Sequence, residues 1–206
     1  MPSPELADPD GLLAIGGDLS TERLIMAYKM GIFPWFNEED EILWWSPDPR
    51  FVLFPDDLHV SRSMKKLLDR QVFEISYDKD FAAVIHACKT QRRKEDAGTW
   101  ITDEMEQAYI NLHHLGIAHS VETWKDGNLV GGLYGLRMGK VFFGESMFSR
   151  ESNASKYAFI TLVNKLKKEG LVLIDCQVAN DHVRSLGASD IPRSYFLELL
   201  RKYLSE

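Results

Sequence analysis

Two apolar segments of this sequence each carry a carboxylate where a strand should give way to a turn. VFFGES at 141–146 sets Glu145 directly after a glycine, and LVLIDCQV at 171–178 sets Asp175 among Val, Leu and Ile. A rigid strand end that opens into a loop is where α/β proteins commonly place reactive groups. In the second segment the strand period of two puts Asp175 and Gln177 on one face, with Ile174 and Cys176 on the other. An unpaired buried carboxylate is costly, so Asp175 needs either a partner or a cleft. Both acids also have plain structural readings: Glu145 as a capping or turn-forming acid, Asp175 as half of an ion pair.

Three further groups raise the same choice. GGLYG at 131–135 places three glycines on a strand, which calls for close approach of a ligand or for a bend or bulge. Trp35 and Trp100 both adjoin polar loops, so each is either core or pocket wall. His113 and His114 are adjacent in a helix and point in different directions, which argues against a shared metal. His182 follows the Asp175 strand closely enough to reach the same cleft, but no nucleophilic Ser or Cys is arranged with it, so it reads as a supporting residue.

The elements that must position these residues can be read from periodicity and punctuation. GLLAIGGDLSTERLIMAYKMG gives one helix, with Ser20 as cap, Leu24, Ile25 and Tyr28 on its apolar face, and Gly31 as stop. The following stretch to Pro55 is dense in aromatics and broken by four prolines, and it contains Trp35, Trp44 and Trp45. A small, loop-rich N-terminal domain over residues 1–54 is expected. Beyond it come a helix capped by Ser61, a strand FEISY, a helix carrying Phe81, Val84, Ile85 and Cys88, and a helix from Thr102 to Gly116. AHSVETW, LVGGLYGL and VFFGES, joined by KDGN and RMGK, form an antiparallel meander. A crossover helix, the LVLIDCQV strand and a C-terminal helix complete residues 55–206. This order predicts an α+β fold with a mixed, largely antiparallel sheet, and it resembles the acyltransferase fold of the GNAT superfamily.

The totals exclude several classes. An apolar share of 45% and a charged share of 27% are those of an ordinary globular protein. No segment approaches the ~18 apolar residues of a membrane span, and MPSPELADPDG lacks the basic and apolar regions of a secretory leader, so a cytoplasmic protein is expected. Two cysteines without a CxxC argue against structural zinc, and no metal is expected. A net charge of −7 excludes non-specific coating of nucleic acid but leaves room for a local basic patch: QRRK at 91–94, KLKK at 165–168, or Arg201 with Lys202.

The motifs GLLAIGGDLS, GIFPWF, WWSPDPR, GGLYG, FFGESMFS, NASK, LIDCQV and SLGA…IPR, in this order from Gly11 to the C-terminal helix, resemble the bacterial leucyl/phenylalanyl-tRNA–protein transferase family. The resemblance implies a GNAT-like catalytic domain behind a smaller N-terminal domain. It also implies a cytoplasmic enzyme that moves leucine or phenylalanine, and less readily methionine, from aminoacyl-tRNA to the α-amine of a protein beginning with Arg or Lys, marking it for N-end rule degradation. It further implies that Trp35, Trp100, Leu133 and Phe142 line an apolar donor pocket with Asn180 nearby, Leu133 standing where relatives carry methionine. Gln177 would then contact the attacking amine, Asp175 would polarise Gln177, and Glu145 would orient the acceptor or pair with its basic side chain.

The sequence bears on these implications independently. SRESNASK lacks the glycine-rich turn that would hold a pyrophosphate, which disfavours coenzyme A, and no other cofactor is expected. An aminoacyl ester is already activated toward amines, so no covalent nucleophile is needed. Phe142 and Glu145, three apart, would face opposite sides of a regular strand, and a β-bulge near Gly144 is predicted so that they can share one mouth. An acetyl-CoA-dependent N-acetyltransferase and a non-catalytic reader of basic N-terminal residues are the competing readings.

Overall fold

The computed structural model describes residues 1–91 and 101–204. Its elements in chain order are β1 (Leu12–Ile15), α1 (Thr21–Lys29), β2 (Phe33–Pro34), β3 (Leu43–Trp45), β4 (Arg50–Leu53), α2 (Arg62–Asp69), β5 (Glu74–Tyr77), α3 (Phe81–Thr90), α4 (Asp103–His114), β6 (Ala118–Lys125), β7 (Asn128–Met138), β8 (Val141–Ser149), α5 (Ala154–Lys168), β9 (Leu173–Asp175), α6 (Asp181–Arg184), β10 (Ser189–Ile191) and α7 (Arg193–Tyr203). β1, β3 and β2 form a small antiparallel sheet. The other seven strands form one sheet in the order β10-β4-β9-β8-β7-β6-β5, in which only β8 and β9 run parallel. The expected α+β fold with a mixed, largely antiparallel sheet is what the chain adopts.

Local chemistry accounts for most of the elements. Ser61 and Thr102 accept from the main-chain N–H of Met64 and Met105, as N-caps should. Ser20 occupies the cap position of α1 without bonding it; instead its own N–H is held by Asp18. The β6–β7 turn places Asp126 and Gly127 at positive φ, the geometry that matches the twist of a two-residue hairpin. Gly31 stops α1 at φ +75°, and a side chain there would press on Leu197 and Phe196 of α7.

β4 departs from the expected organisation. RFVL lies in the aromatic, proline-broken stretch expected to be loop-rich, yet it pairs with β9 on one side and β10 on the other, inside the larger sheet. The N-terminal elements pack closely on the rest of the chain. Leu24 and Tyr28 of α1, Phe33 of β2 and Trp44 of β3 share one buried cluster with Tyr109 of α4, Phe143 of β8 and Phe196 of α7. On the opposite side of the sheet a second cluster joins α5 to Leu133, Phe142 and Ile174. The candidate site lies between these two layers.

The three glycines of GGLYG owe their place to this packing. A Cβ on Gly131 would come within 2.5 Å of the Cβ of Ala154 at the start of α5, and one on Gly132 within 2.7 Å of the Val121 carbonyl oxygen. A Cβ on Gly135 would run into the Phe143 carbonyl oxygen and press on the Phe142 ring at 2.6 Å. The close approach is made by the protein's own chain.

Candidate active site

The site forms where β8 and β9 part. The two strands pair through Val141 with Leu173, Phe142 with Ile174 and Phe143 with Asp175, and no further. Just beyond, β8 carries the predicted bulge: Tyr134 faces Ser146 and Gly135 faces Gly144, which leaves Glu145 as the extra residue. The bulge does not move Phe142 to the side of Glu145. Phe142 packs in the α5 layer, whereas the tyrosines that hold Glu145 belong to the other layer. Both still line one pocket of about 590 Å³, because the gap between the strands lets it reach through the sheet.

Glu145 is held on three sides. The Tyr28 hydroxyl and the Gln177 side-chain amide donate to one oxygen at 2.7 and 2.8 Å, and the Tyr109 hydroxyl donates to the other at 3.0 Å. The two tyrosine hydroxyls also lie against each other, and with one proton apiece they share the three contacts of this triangle with the carboxyl. Burial raises both phenols well above 10, with the Glu145 charge adding to it, so they stay neutral donors. Glu145 itself is pushed up from 4.5 to about 7, chiefly by burial and further by the Asp175 charge, against the pull of its three donors. A carboxyl that titrates there changes charge in the range where enzymes work.

Asp175 is completely buried and does not line the pocket. Arg50, 1% exposed, forks onto it through Nε at 2.8 Å and Nη2 at 2.6 Å. The Asp175 oxygen that accepts from Nε also accepts the main-chain N–H of Gln177 at 2.9 Å. The expected continuation of the strand through Gln177 is therefore corrected: β9 stops at Asp175, and Gln177 sits in the left-handed region at φ +62°. The physical reason is that the carboxylate captures the N–H two residues on, a turn that Asp makes in preference to extending a ladder. The contact between Asp175 and Gln177 thus runs through the main chain, and the Gln177 side chain turns to Glu145.

The remaining expected residues separate as follows. Leu133 and Phe142 are buried in the pocket wall, beside Phe159 and Ile174. Trp35 is 46% exposed at the pocket and packs against Trp45 with ring centres 5.8 Å apart. Asn180 also lines the pocket, and its side chain caps α6 by accepting from Val183 N–H at 2.9 Å. His182 lines the pocket with its Nε2 buried and without a partner among the described residues, and burial with the nearby Lys156 lowers its pKa. His113 instead stacks on Phe81 and bonds the Ala118 carbonyl, away from the pocket. Trp100 lies outside the described residues, as do residues 92–94 of QRRK. No group of three potential metal ligands occurs among the described residues.

Tyr28, Tyr109 and Arg50 are site residues that sequence reasoning missed. By its spacing Tyr28 is one more apolar position on α1. Its hydroxyl was the available signal, since a buried tyrosine needs a hydrogen-bond partner. Arg50, a cation leading the apolar RFVL, carried the same kind of signal as Glu145.

Comparison with known proteins identifies two family models along the chain. A family model described as leucyl/phenylalanyl-tRNA protein transferase matches residues 52–201, and one for the N-terminal domain of that transferase matches residues 17–48. Relatives named leucyl/phenylalanyl-tRNA–protein transferase include one from Pseudomonas fluorescens strain Pf0-1, 60% identical over 201 residues, covering 98% of this chain and 88% of its own. Another, from Azotobacter vinelandii, is 60% identical over 199 residues, covering 97% and 88%. Among solved structures, L-PGS from Bacillus licheniformis matches with a TM-score of 0.45 and 13% identity over 78% of this chain and 51% of that one. A GCN5-related N-acetyltransferase from Kribbella flavida matches with 0.43 and 12% over 79% and 58%. At that level these two likenesses carry nothing about function.

Proposed function

On the premise that this chain belongs to the leucyl/phenylalanyl-tRNA protein transferase family, and so transfers aminoacyl groups from tRNA to proteins, we propose that it moves leucine or phenylalanine, and less readily methionine, onto the α-amine of proteins that begin with Arg or Lys. The product would enter N-end rule degradation in the cytoplasm. The observation that carries this reading is the pocket's two-sided make-up: an apolar wall of Leu133, Phe142, Phe159 and Ile174 runs up to a carboxyl that ionises near neutrality.

The apolar wall suits the donor. A Leu, Phe or Met side chain gains by leaving water there, whereas a charged one is expensive to desolvate. Trp35 and Asn180 stand at the same pocket, and Trp100 is assigned to it by family resemblance. The carboxyl suits the acceptor. Ionised Glu145 is the counter-charge for a basic N-terminal residue, and charge-assisted bonds of this kind are the strong ones. Gln177 has its amide nitrogen committed to Glu145, which leaves its oxygen to accept an N–H of the attacking amine.

The chemistry then asks little of the protein. The neutral α-amine attacks the ester carbonyl carbon, the bond to the ribose oxygen breaks, and the proton shed by nitrogen ends on that oxygen. A minority of the α-amine, about a tenth, is already neutral at pH 7, since its pKa is about 7.7–8.0. Holding amine and ester together supplies most of the acceleration. No membrane enters this account; no helix among the described residues is long and apolar enough to cross one.

For the tRNA body, KLKK is largely spent, with Lys165 on Glu169 and Lys167 on Asp56. The outer side of α2 and its C-terminal cap instead expose Arg62, Lys65, Lys66 and Arg70, a largely basic face that also carries Asp69.

The test is transfer of labelled leucine from leucyl-tRNA to a peptide beginning with Arg, beside a matched peptide beginning with Asp. Labelled product from the Arg peptide alone is expected. Equal transfer to both peptides would refute the assigned acceptor.

A further inference from the structure

We propose that Arg50 is a positioning residue of the transfer reaction, acting through Asp175 to hold Gln177 in the bend that delivers its amide to Glu145. The inference rests on the roles given above to Gln177 and Glu145 and extends them by one residue.

Arg50 begins β4 inside the sheet and is all but completely buried. Burial of a guanidinium needs a return, and a simple clamp between two strands would be a poor one, because apolar pairs do that job as well. The contacts show where the return lies. Arg50 Nε and the Gln177 main-chain N–H converge on the same oxygen of Asp175. The second oxygen of Asp175 takes Nη2. Both carboxylate oxygens are thus occupied, and the one next to the pocket segment fixes the main chain of Gln177 at a positive φ that a glutamine does not choose unaided.

The guanidinium is itself locked from two other elements. Its central carbon lies 4.8 Å from the ring centre of Phe33 on β2 and 4.6 Å from that of Phe196 on α7. Nη1 is buried with no hydrogen-bond partner among the described residues, so ring faces hold that edge of the cation. β4 also grips the bend directly. The Phe51 carbonyl accepts from Cys176 N–H at 2.9 Å, and Phe51 N–H donates to the Gln177 carbonyl at 3.4 Å. Orientation therefore passes from Phe33 and Phe196 to Arg50, to Asp175, to Gln177 and to Glu145.

Charge passes along the same line. The groups facing Glu145 are Tyr28 on α1, Tyr109 on α4, Gln177 after β9 and the Asp175 charge behind it. Cys176, beside Asp175, has its thiol pushed up by burial and stays neutral. Arg50 is the cation paired with Asp175, and so it sets how much of the Asp175 field reaches Glu145.

The experiment measures kcat and KM for leucyl transfer to an Arg peptide between pH 6 and 9, with full-length wild type, Arg50→Lys, Asp175→Asn and Arg50→Met/Asp175→Asn. Lysine keeps the charge but loses the fork. Arg50→Lys is expected to lower kcat about 10-fold, with KM for leucyl-tRNA within about twofold, since misplacement of a positioning group costs turnover. Asp175→Asn is expected to lower kcat about 100-fold and to move the acidic limb of kcat/KM to lower pH. Adding Arg50→Met to Asp175→Asn should cost no more than about threefold beyond that, with the limb unmoved, because Arg50 acts through the missing carboxylate.

A further 10-fold loss in the double variant, or wild-type kcat in Arg50→Lys, would overturn the proposal. Arg50→Lys keeps both buried charges, so its kcat decides the proposal even if the half-pair variant Asp175→Asn fails to fold. Absence of transfer by the wild type in the same assay would sink the functional reading, and this inference with it. Wild-type transfer with independent losses would sink this inference alone.

Discussion

Replacing Glu145 by Gln removes one titration while keeping a side chain of the same length, which makes its consequences calculable. Glu145 is pushed from 4.5 to about 7 by burial and the Asp175 charge. Below the ordinary value the carboxyl is protonated in both folded and unfolded chains and costs nothing. Between the two values the unfolded chain releases the proton and the folded one keeps it, so stability falls as pH rises, then levels above about 7. At about 1.4 kcal/mol per pH unit the loss comes to about 3 kcal/mol between pH ~4.5 and ~7. Urea unfolding of wild type and Glu145→Gln at pH 5 and pH 8 should therefore diverge by about 2.5 kcal/mol, the variant gaining at high pH. Activity moves the opposite way. An ionised partner for a cationic acceptor contributes about 1.5–3 kcal/mol, so the variant should lose about 10- to 150-fold in kcat/KM for an Arg peptide at pH 8. At pH 6 only about a tenth of Glu145 is ionised, and the deficit should shrink about 10-fold. The peptide's own α-amine adds a second limb that both proteins share. Parallel pH profiles in both assays would refute the assignment.

Three other outcomes follow from the geometry. Tyr28→Phe removes one donor to Glu145, and the acidic limb of kcat/KM should move to higher pH with kcat little changed at pH 9; an unmoved limb would show that the hydroxyl does not hold the carboxylate. Gly135→Ala forces a methyl against the Phe143 carbonyl and the Phe142 ring, and should cost about 1–3 kcal/mol in chemical denaturation; wild-type stability would mean the sheet accommodates it freely. Lys65→Glu with Lys66→Glu on α2 should raise KM for leucyl-tRNA and flatten its dependence on salt, with no change for the acceptor peptide.

Much of this arrangement was legible because it follows from period and punctuation. The meander was marked by KDGN and RMGK, and the bulge followed from asking how Phe142 and Glu145 could meet. The bulge is there, but the two residues meet because β8 and β9 part after three pairs, a feature of sheet topology that no local pattern encodes. LVLIDCQV read as one strand because its apolar residues alternate; the strand ends early because Asp175 takes a main-chain N–H, a choice made possible by Arg50 from a strand 125 residues away. β4 was hidden by its proline- and aromatic-rich surroundings. Tyr28 and Tyr109 look like core positions because they are core positions, with hydroxyls that happen to converge on one acid.

The central claim is that one pocket handles two substrates with two separate chemistries: an apolar wall for the donor and Glu145 for the acceptor. The most direct measurement is kcat/KM for leucyl- and alanyl-tRNA, each with Arg- and Asp-initiated peptides, in wild type, Phe142→Ala and Glu145→Gln. Phe142→Ala should erode the preference for leucine over alanine and leave that for Arg over Asp intact, and Glu145→Gln should do the reverse. Either variant changing the other's preference by as much as its own would contradict the account.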